Sequence, residues 1–255
     1  MVTSSGVVTQ TITGIARTAT SRVVTGLVAG RSYTFQVRAN NLFGPGALSA
    51  ASNAVTPQAL PGAPTAVTAV RGNGSVSLDW TPPAGDGGSP ITGWIVQVRS
   101  GGVTVRTDTV SGSTPSTVVT GLTNGTAYNF RVQAVTAIGV GAASANSNTV
   151  TPATVPGAPT IGTAISGAAG GAVNAQAVWT APASNGGSII TNYRVLAYRV
   201  AADGSTSFFS QTTFNGTVTP RTIALTAGNY QFEVVAINAL GDSPASAKSN
   251  TVVAR

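Results

Sequence analysis

Short runs of alternating apolar and polar residues recur along the chain, and no segment keeps the 3.6-residue period of a helix. In the run Val76-Ser-Leu-Asp-Trp80, Val76, Leu78 and Trp80 fall on one face, with Ser75, Ser77 and Asp79 on the other. Farther on, Trp94, Val96 and Val98 alternate with Ile95, Gln97 and Arg99. Then Tyr128, Phe130, Val132 and Ala134 alternate with Asn129, Arg131 and Gln133. A period of two places one set of side chains in a core and the other in solvent, so each run is expected to be a strand. Turn signals separate the runs, among them Asn73-Gly74, Asn124-Gly125 and Asn215-Gly216. Many short strands spaced by such turns predict an all-β chain of the sandwich or barrel type.

The strands belong to a repeat. Gly121–Pro152 (GLTNGTAYNFRVQAVTAIGVGAASANSNTVTP) recurs at Gly26–Pro57 (GLVAGRSYTFQVRANNLFGPGALSAASNAVTP) without a gap, 95 residues earlier and identical at 17 of 32 positions. A looser copy runs through Leu225–Val252. One small domain has therefore been copied along the chain. The repeats divide it into residues 1–57, 58–152 and 153–255.

Three features of the middle copy resemble the fibronectin type III module. These are the core Trp80, the loop Asp86-Gly-Gly-Ser-Pro-Ile91 leading into an aromatic strand, and the corner Gly121-Leu122-x-x-Gly125-x-x-Tyr128. The resemblance implies tandem immunoglobulin-like β-sandwiches of seven strands. It also implies a corner whose tyrosine hydroxyl, on Tyr128 and its counterpart Tyr33, ties the chain back to the backbone upstream. The third copy matches with departures: Trp179 stands for Trp80, Asn185-Gly-Gly-Ser-Ile-Ile190 for the loop, and Tyr193 for Trp94. Its first hairpin, where Gly167–Ala172 lies, is four residues longer, and its corner, Leu225-Thr-Ala-Gly228-Asn-Tyr230, is one residue tighter.

The first copy is expected to be incomplete. Met1 aligns with Val96, so residues 1–57 hold only the later strands of a module, including Tyr33-Thr-Phe-Gln-Val37. Either the sequence is a piece of a longer array, or another chain donates the missing strands. The connectors Thr56–Pro64 and Thr151–Pro159 carry proline at both ends, which favours extended chain and predicts modules strung out semi-rigidly.

Composition adds exclusions. Only 7% of the 255 residues are charged, and the net charge of +7 comes from twelve Arg and one Lys spread thinly over the three copies. Nucleic-acid binding would need those charges clustered with stacking aromatics, so no nucleic-acid partner is expected. The surface is rich in Thr, Ser, Ala and Gly, which suits an extracellular, cell-surface or virion protein. There is no Cys and no His, which removes thiolate nucleophiles, imidazole bases and the usual zinc and iron sites. No apolar run approaches the roughly 20 residues of a membrane span.

The six acids, Asp79, Asp86, Asp108, Asp203, Glu233 and Asp242, are scattered, and acid–base catalysis needs them paired. Glu233 is expected to pair across strands with Arg194. The loops at Gly85–Ser89 and Gly186–Ser188 open no helix and carry no lysine, so they read as turns and not as phosphate cradles. The Asn-x-Ser/Thr triplets at Asn73, Asn124 and Asn215 are all Asn-Gly, and a turn explains each. No enzyme and no cofactor are expected.

One surface feature remains. Alternation in the third copy puts Arg194, Leu196 and Tyr198 on the outer face, with Val235 on the neighbouring strand and one of Phe208 or Phe209 also outward. Exposed aromatic and aliphatic groups together are the composition of a binding patch, for a protein or a surface polysaccharide. The expected role is a non-catalytic spacer or interaction segment of a larger exported bacterial or phage protein, its partners including neighbouring modules of a longer chain. Two alternatives stand beside it: accessory modules of a secreted polysaccharide-degrading enzyme, and a self-assembling filament completed by strand donation.

Overall fold

The computed structural model describes residues 1–170, 172–216 and 219–255, so Gly171 of the lengthened hairpin and Thr217 of the third Asn-Gly triplet lie outside the described residues. All of the named elements are strands. The first copy holds β1 (Val2–Ser4), β2 (Val7–Gln10), β3 (Thr34–Phe35), β4 (Asn40–Asn41) and β5 (Gly44–Pro45). The middle copy holds β6 (Thr65–Arg71), β7 (Ser75–Thr81), β8 (Ile91–Ser100), β9 (Val103–Ser111), β10 (Ser116–Thr120), β11 (Asn129–Thr136) and β12 (Gly139–Val140). The third begins with β13 (Thr160–Ile161), β14 (Ile165–Ser166), β15 (Asn174–Ala177), β16 (Trp179–Thr180) and β17 (Ile190–Val200). It continues with β18 (Thr206–Asn215), β19 (Arg221–Ala224), β20 (Gly228–Asn238), β21 (Gly241–Asp242) and β22 (Val252–Ala254).

Two compact units divide these elements. One is Met1–Thr68 with Leu78–Thr117 and Asn129–Asn148; the other is Ala69–Ser77 with Val118–Tyr128 and Thr149–Arg255. In the first unit β1 lies between β2 and β3, and the middle copy's larger sheet runs β12-β11-β8-β9. Its core follows the alternation: Trp94, Val96 and Val98 on β8 and Phe130, Val132 and Ala134 on β11 are buried. Trp80 packs edge-on against Trp94 with ring centroids 5.3 Å apart. Such aromatic pairs add about 0.5–1.5 kcal/mol beyond the area they bury. The first copy buries far less. Val2 and Tyr33 are covered, but Val37, the counterpart of the fully buried Val132, is 68% exposed.

The second unit contains the third copy, built from sheets β14-β15-β19, β13-β16 and β18-β17-β20-β21, with β22 also paired to β20. Trp179 and Tyr193 repeat the middle copy's aromatic pair at the same 5.3 Å. Around them a continuous core includes Val195, Ile223, Tyr230, Phe232 and Val234. The tyrosine corners divide as their lengths foretell. Tyr33 and Tyr128 hydroxyls accept from the Val28 and Thr123 amides at 3.0 and 3.2 Å. In the shorter third corner the Tyr230 hydroxyl meets the Thr226 hydroxyl, at 2.9 Å, and not a backbone group.

The last segment of each copy departs from the regular strand the repeat suggests. Beside β11, the Ser144 and Ser147 amides donate to the Val132 and Phe130 carbonyls. Their Oγ atoms accept the Val132 and Phe130 amides in return, both at 3.0 Å. Three residues here step past two on the partner strand, so the serine oxygens supply the acceptors that a regular ladder would take from carbonyls. Each Oγ also donates to the next carbonyl along its own chain. The third copy extends the pattern to Ser243, Ser246 and Ser249 against Ala236, Val234 and Phe232. In the first copy Ser49 and Ser52 do the same for Val37 and Phe35.

Candidate functional site

The third copy's outer sheet face gathers the residues that alternation singles out. On β17, Arg194, Leu196 and Tyr198 alternate with buried Tyr193, Val195 and Ala197. Register sets Arg194 opposite Val235 and Leu196 opposite Glu233 on β20, and Tyr198 opposite Phe208 on β18. The patch is more covered than alternation implies. Arg194, Leu196 and Tyr198 are half-buried, and Val235, opposite an Arg194 whose guanidinium reaches across to Asp242, is only 7% exposed. Its exposed aromatic is Phe208, standing edge-on to Tyr198 at 6.0 Å. Phe209, on the opposite face of the strand, packs edge-on with Tyr230 at 5.2 Å.

Polar groups frame the aromatics. The Tyr198 hydroxyl donates to Glu233 Oε2 at 2.8 Å. Burial first, then the hydrogen bond and charge of Glu233, push the Tyr198 phenol above its ordinary value, so it remains a neutral donor. Lys248 Nζ lies 4.5 Å from the centre of the Tyr198 ring and donates to Thr206 Oγ1. Arg194 pairs with Asp242 at 2.7 Å, not with Glu233 as expected, because Tyr198 already holds that carboxylate. The assembly offers a ring edge, an ammonium and a carboxylate side by side, a composition suited to stacking and hydrogen bonding with a sugar or a peptide.

Other acids and amides serve local structure. Asp108 pairs with Arg106 at 2.8 Å. Asp203 accepts from the hydroxyl and amide of Ser205, which hold its carboxyl below the usual range. In the glycine loops the Asp86 and Asn185 side chains accept the Gly88 and Gly187 amides at 2.8 and 2.9 Å, so these oxygens close the turn on itself. Asn124 Nδ2 donates to Asn73 Oδ1 while its Oδ1 accepts the Gly74 amide, both at 2.8 Å. Two of the Asn-Gly triplets are thus tied to one another. Among the described residues no group of three or more Asp or Glu side chains could hold a metal ion, and no helix is long and apolar enough to cross a membrane.

Sequence reasoning passed over one apolar feature. Leu42 and Phe43, at the tip of the β4–β5 hairpin, are both fully exposed, while Asn41 Oδ1 accepts the Phe43 amide at 2.9 Å. The signal was present in composition: the corresponding turns read Ala137-Ile138 and Ala239-Leu240, without the aromatic.

Residues 62–150 match the model of the fibronectin type III domain. Chitinase A1 of Niallia circulans is 38% identical over 52% of this chain and 19% of its own length. Endoglucanase B of Cellulomonas fimi is 32% identical over 80% of this chain and 20% of its own. Human Myomesin-2 is 34% identical over 47% and 8% respectively. The chain thus spans no more than a fifth of these relatives. The solved chicken CNTN1 FN1-FN3 domains superpose over 90% of this chain and 77% of their own, with a TM-score of 0.37 and 20% identity. The middle copy is a fibronectin type III domain, and the copies on either side repeat its pattern in an all-β array.

Proposed function

We propose that this array of fibronectin type III modules is a non-catalytic spacer and interaction segment of a larger protein displayed outside the cell, on its surface or on a virion. The observation that carries the reading is where the repeated residues go. Trp80, Trp94, Phe130, Trp179, Tyr193 and Phe232 are spent on packing, and Asp86, Asp108, Asp203, Glu233 and Asp242 on hydrogen bonds or ion pairs. A surface so low in charge, with no histidine or cysteine, supplies no paired acid and base for chemistry.

A second reading is favoured by the match to Endoglucanase B over 80% of this chain. In this second reading the array separates the working domains of a secreted polysaccharide-degrading enzyme, and the Tyr198–Phe208 face touches the glycan. Incubating the full chain with insoluble chitin and cellulose tests both. The spacer reading expects neither binding nor release of soluble sugar. Binding lost in Tyr198→Ala selects the second reading, and release of sugar by the purified chain refutes both.

A further inference from the structure

The two linkers, with the loops around them, build the same joint twice. At the first, the Gly30 amide donates to the Pro57 carbonyl, the Ala59 amide to Gly87, and the Gly62 amide to Gly85, at 2.9, 2.9 and 3.1 Å. At the second, Gly125 donates to Pro152, Thr154 to Gly186, and Gly157 to Ser184, at 2.9, 2.8 and 2.9 Å. The corner glycine of one copy also meets the loop glycine of the next, backbone on backbone. A Cβ at Gly88 would come within 2.5 Å of the Gly30 Cα, and one at Gly187 would overlap the Gly125 nitrogen. Each linker then lays an apolar side chain on the following copy's last hairpin, Leu60 beside Gly139 and Val155 beside Gly241. At the second joint the buried Asn238 side chain adds donations to the Thr154 and Asn185 carbonyls at 2.8 and 2.9 Å.

We infer that the corner Gly-x-x-x-Gly-x-x-Tyr is a docking surface for a module that presents an Asp/Asn-Gly-Gly-Ser loop behind a Thr-Pro-x-x-Leu/Val-Pro-Gly linker. Identical bonding at two independent places is what a recognition surface produces and a flexible tether does not. The third copy lacks the receptor. Its Gly228 stands one residue nearer the tyrosine, and the Arg199 guanidinium covers it, donating to the Ala227 carbonyl at 3.3 Å. A module attached beyond the third copy does not dock in this way, and neither does a second copy of the chain. Head-to-tail assembly through the joint is therefore closed. The inference does not rest on what the array spaces apart.

The chain has no cysteine, so paired spin labels can be placed at Thr120→Cys and Thr213→Cys, exposed positions on either side of the second joint. The full chain should give one narrow distance distribution. Gly187→Ala should lose it, because the added methyl would overlap the Gly125 nitrogen. Gly204→Ala is the control: its φ of +81° matches the +82° of Gly187, but nothing lies within 4 Å of the added methyl. It should leave the distribution narrow. A broad distribution in the labelled but otherwise unsubstituted chain overturns the joint. So does a Gly187→Ala chain, folded by its tryptophan emission, that is as narrow as the control. Light scattering at rising concentration should show a monomer; oligomers that vanish on substituting Gly88 would overturn the closed third corner.

Discussion

Ser246→Ala removes one oxygen from the interior of the third copy and leaves the backbone bonding around it in place. Ser246 is buried, and its Oγ accepts the amide of Val234, which is completely buried, at 2.9 Å. The Ser246 amide still donates to the Val234 carbonyl in the variant, so the loss is confined to a single acceptor. A buried amide left without a partner costs about 1–3 kcal/mol. For a domain of this size, 2 kcal/mol lowers Tm by roughly 8–16 °C. The same bond in the first copy is exposed: Ser49 Oγ accepts the Val37 amide at 3.1 Å where water can replace it. Ser49→Ala should cost no more than about 0.5 kcal/mol, as surface substitutions do. Guanidinium unfolding is followed by tryptophan emission, in which Trp179 reports the third copy and Trp80 and Trp94 the middle one, so the transition that the Ser246 substitution shifts is the third copy's. If Ser246→Ala stays within about 0.3 kcal/mol of the parent, the Val234 amide has another acceptor and the serine account is refuted.

Two further expectations concern the same copy. The buried Tyr193 hydroxyl has no hydrogen-bond partner among the described residues, so Tyr193→Phe should be neutral or stabilising by up to about 1 kcal/mol in the same unfolding assay, and a loss of more than that would reveal a partner. Burial raises the Tyr193 phenol, and burial with Glu233 raises that of Tyr198, above the ordinary 10.0. Below pH 10 the folded and unfolded chains both keep these protons; above it the unfolded chain loses them first, so stability must fall as pH rises through the raised values. The double variant Tyr193→Phe, Tyr198→Phe should flatten that alkaline decline, and an unchanged slope would refute the assignment.

Much of the fold was legible because strand burial has a period of two. Val76, Leu78 and Trp80, and then Phe130, Val132 and Ala134, could be assigned to the core one by one, and the copied segment located their counterparts. The serine segments were harder to read. Their contacts recur every three residues, and Ser144 or Ser246 looks in sequence like any other polar surface residue. The outer face of β17 followed from alternation, but the coverage of Val235 and the choice of Asp242 by Arg194 depend on contacts across strands that alternation does not specify. Nothing local marks Gly88 or Gly187 as more than turn residues, because the groups that require them to be glycine belong to the preceding copy.

The joint also bears on how such a chain can change length. Each copy that ends in the Gly-x-x-x-Gly-x-x-Tyr corner and its linker carries a receptor below, and each copy with the Gly-Gly loop carries the matching insert above. A duplication of residues 58–152 would therefore bring both halves of a new joint with it, in register, and would need no compensating substitution. A deletion of the same span would bring Gly30 to the loop at Gly187 and restore the contact. Copy number is then free to drift by whole modules, while the third copy, with Arg199 over Gly228, can be duplicated only with a break in the docking.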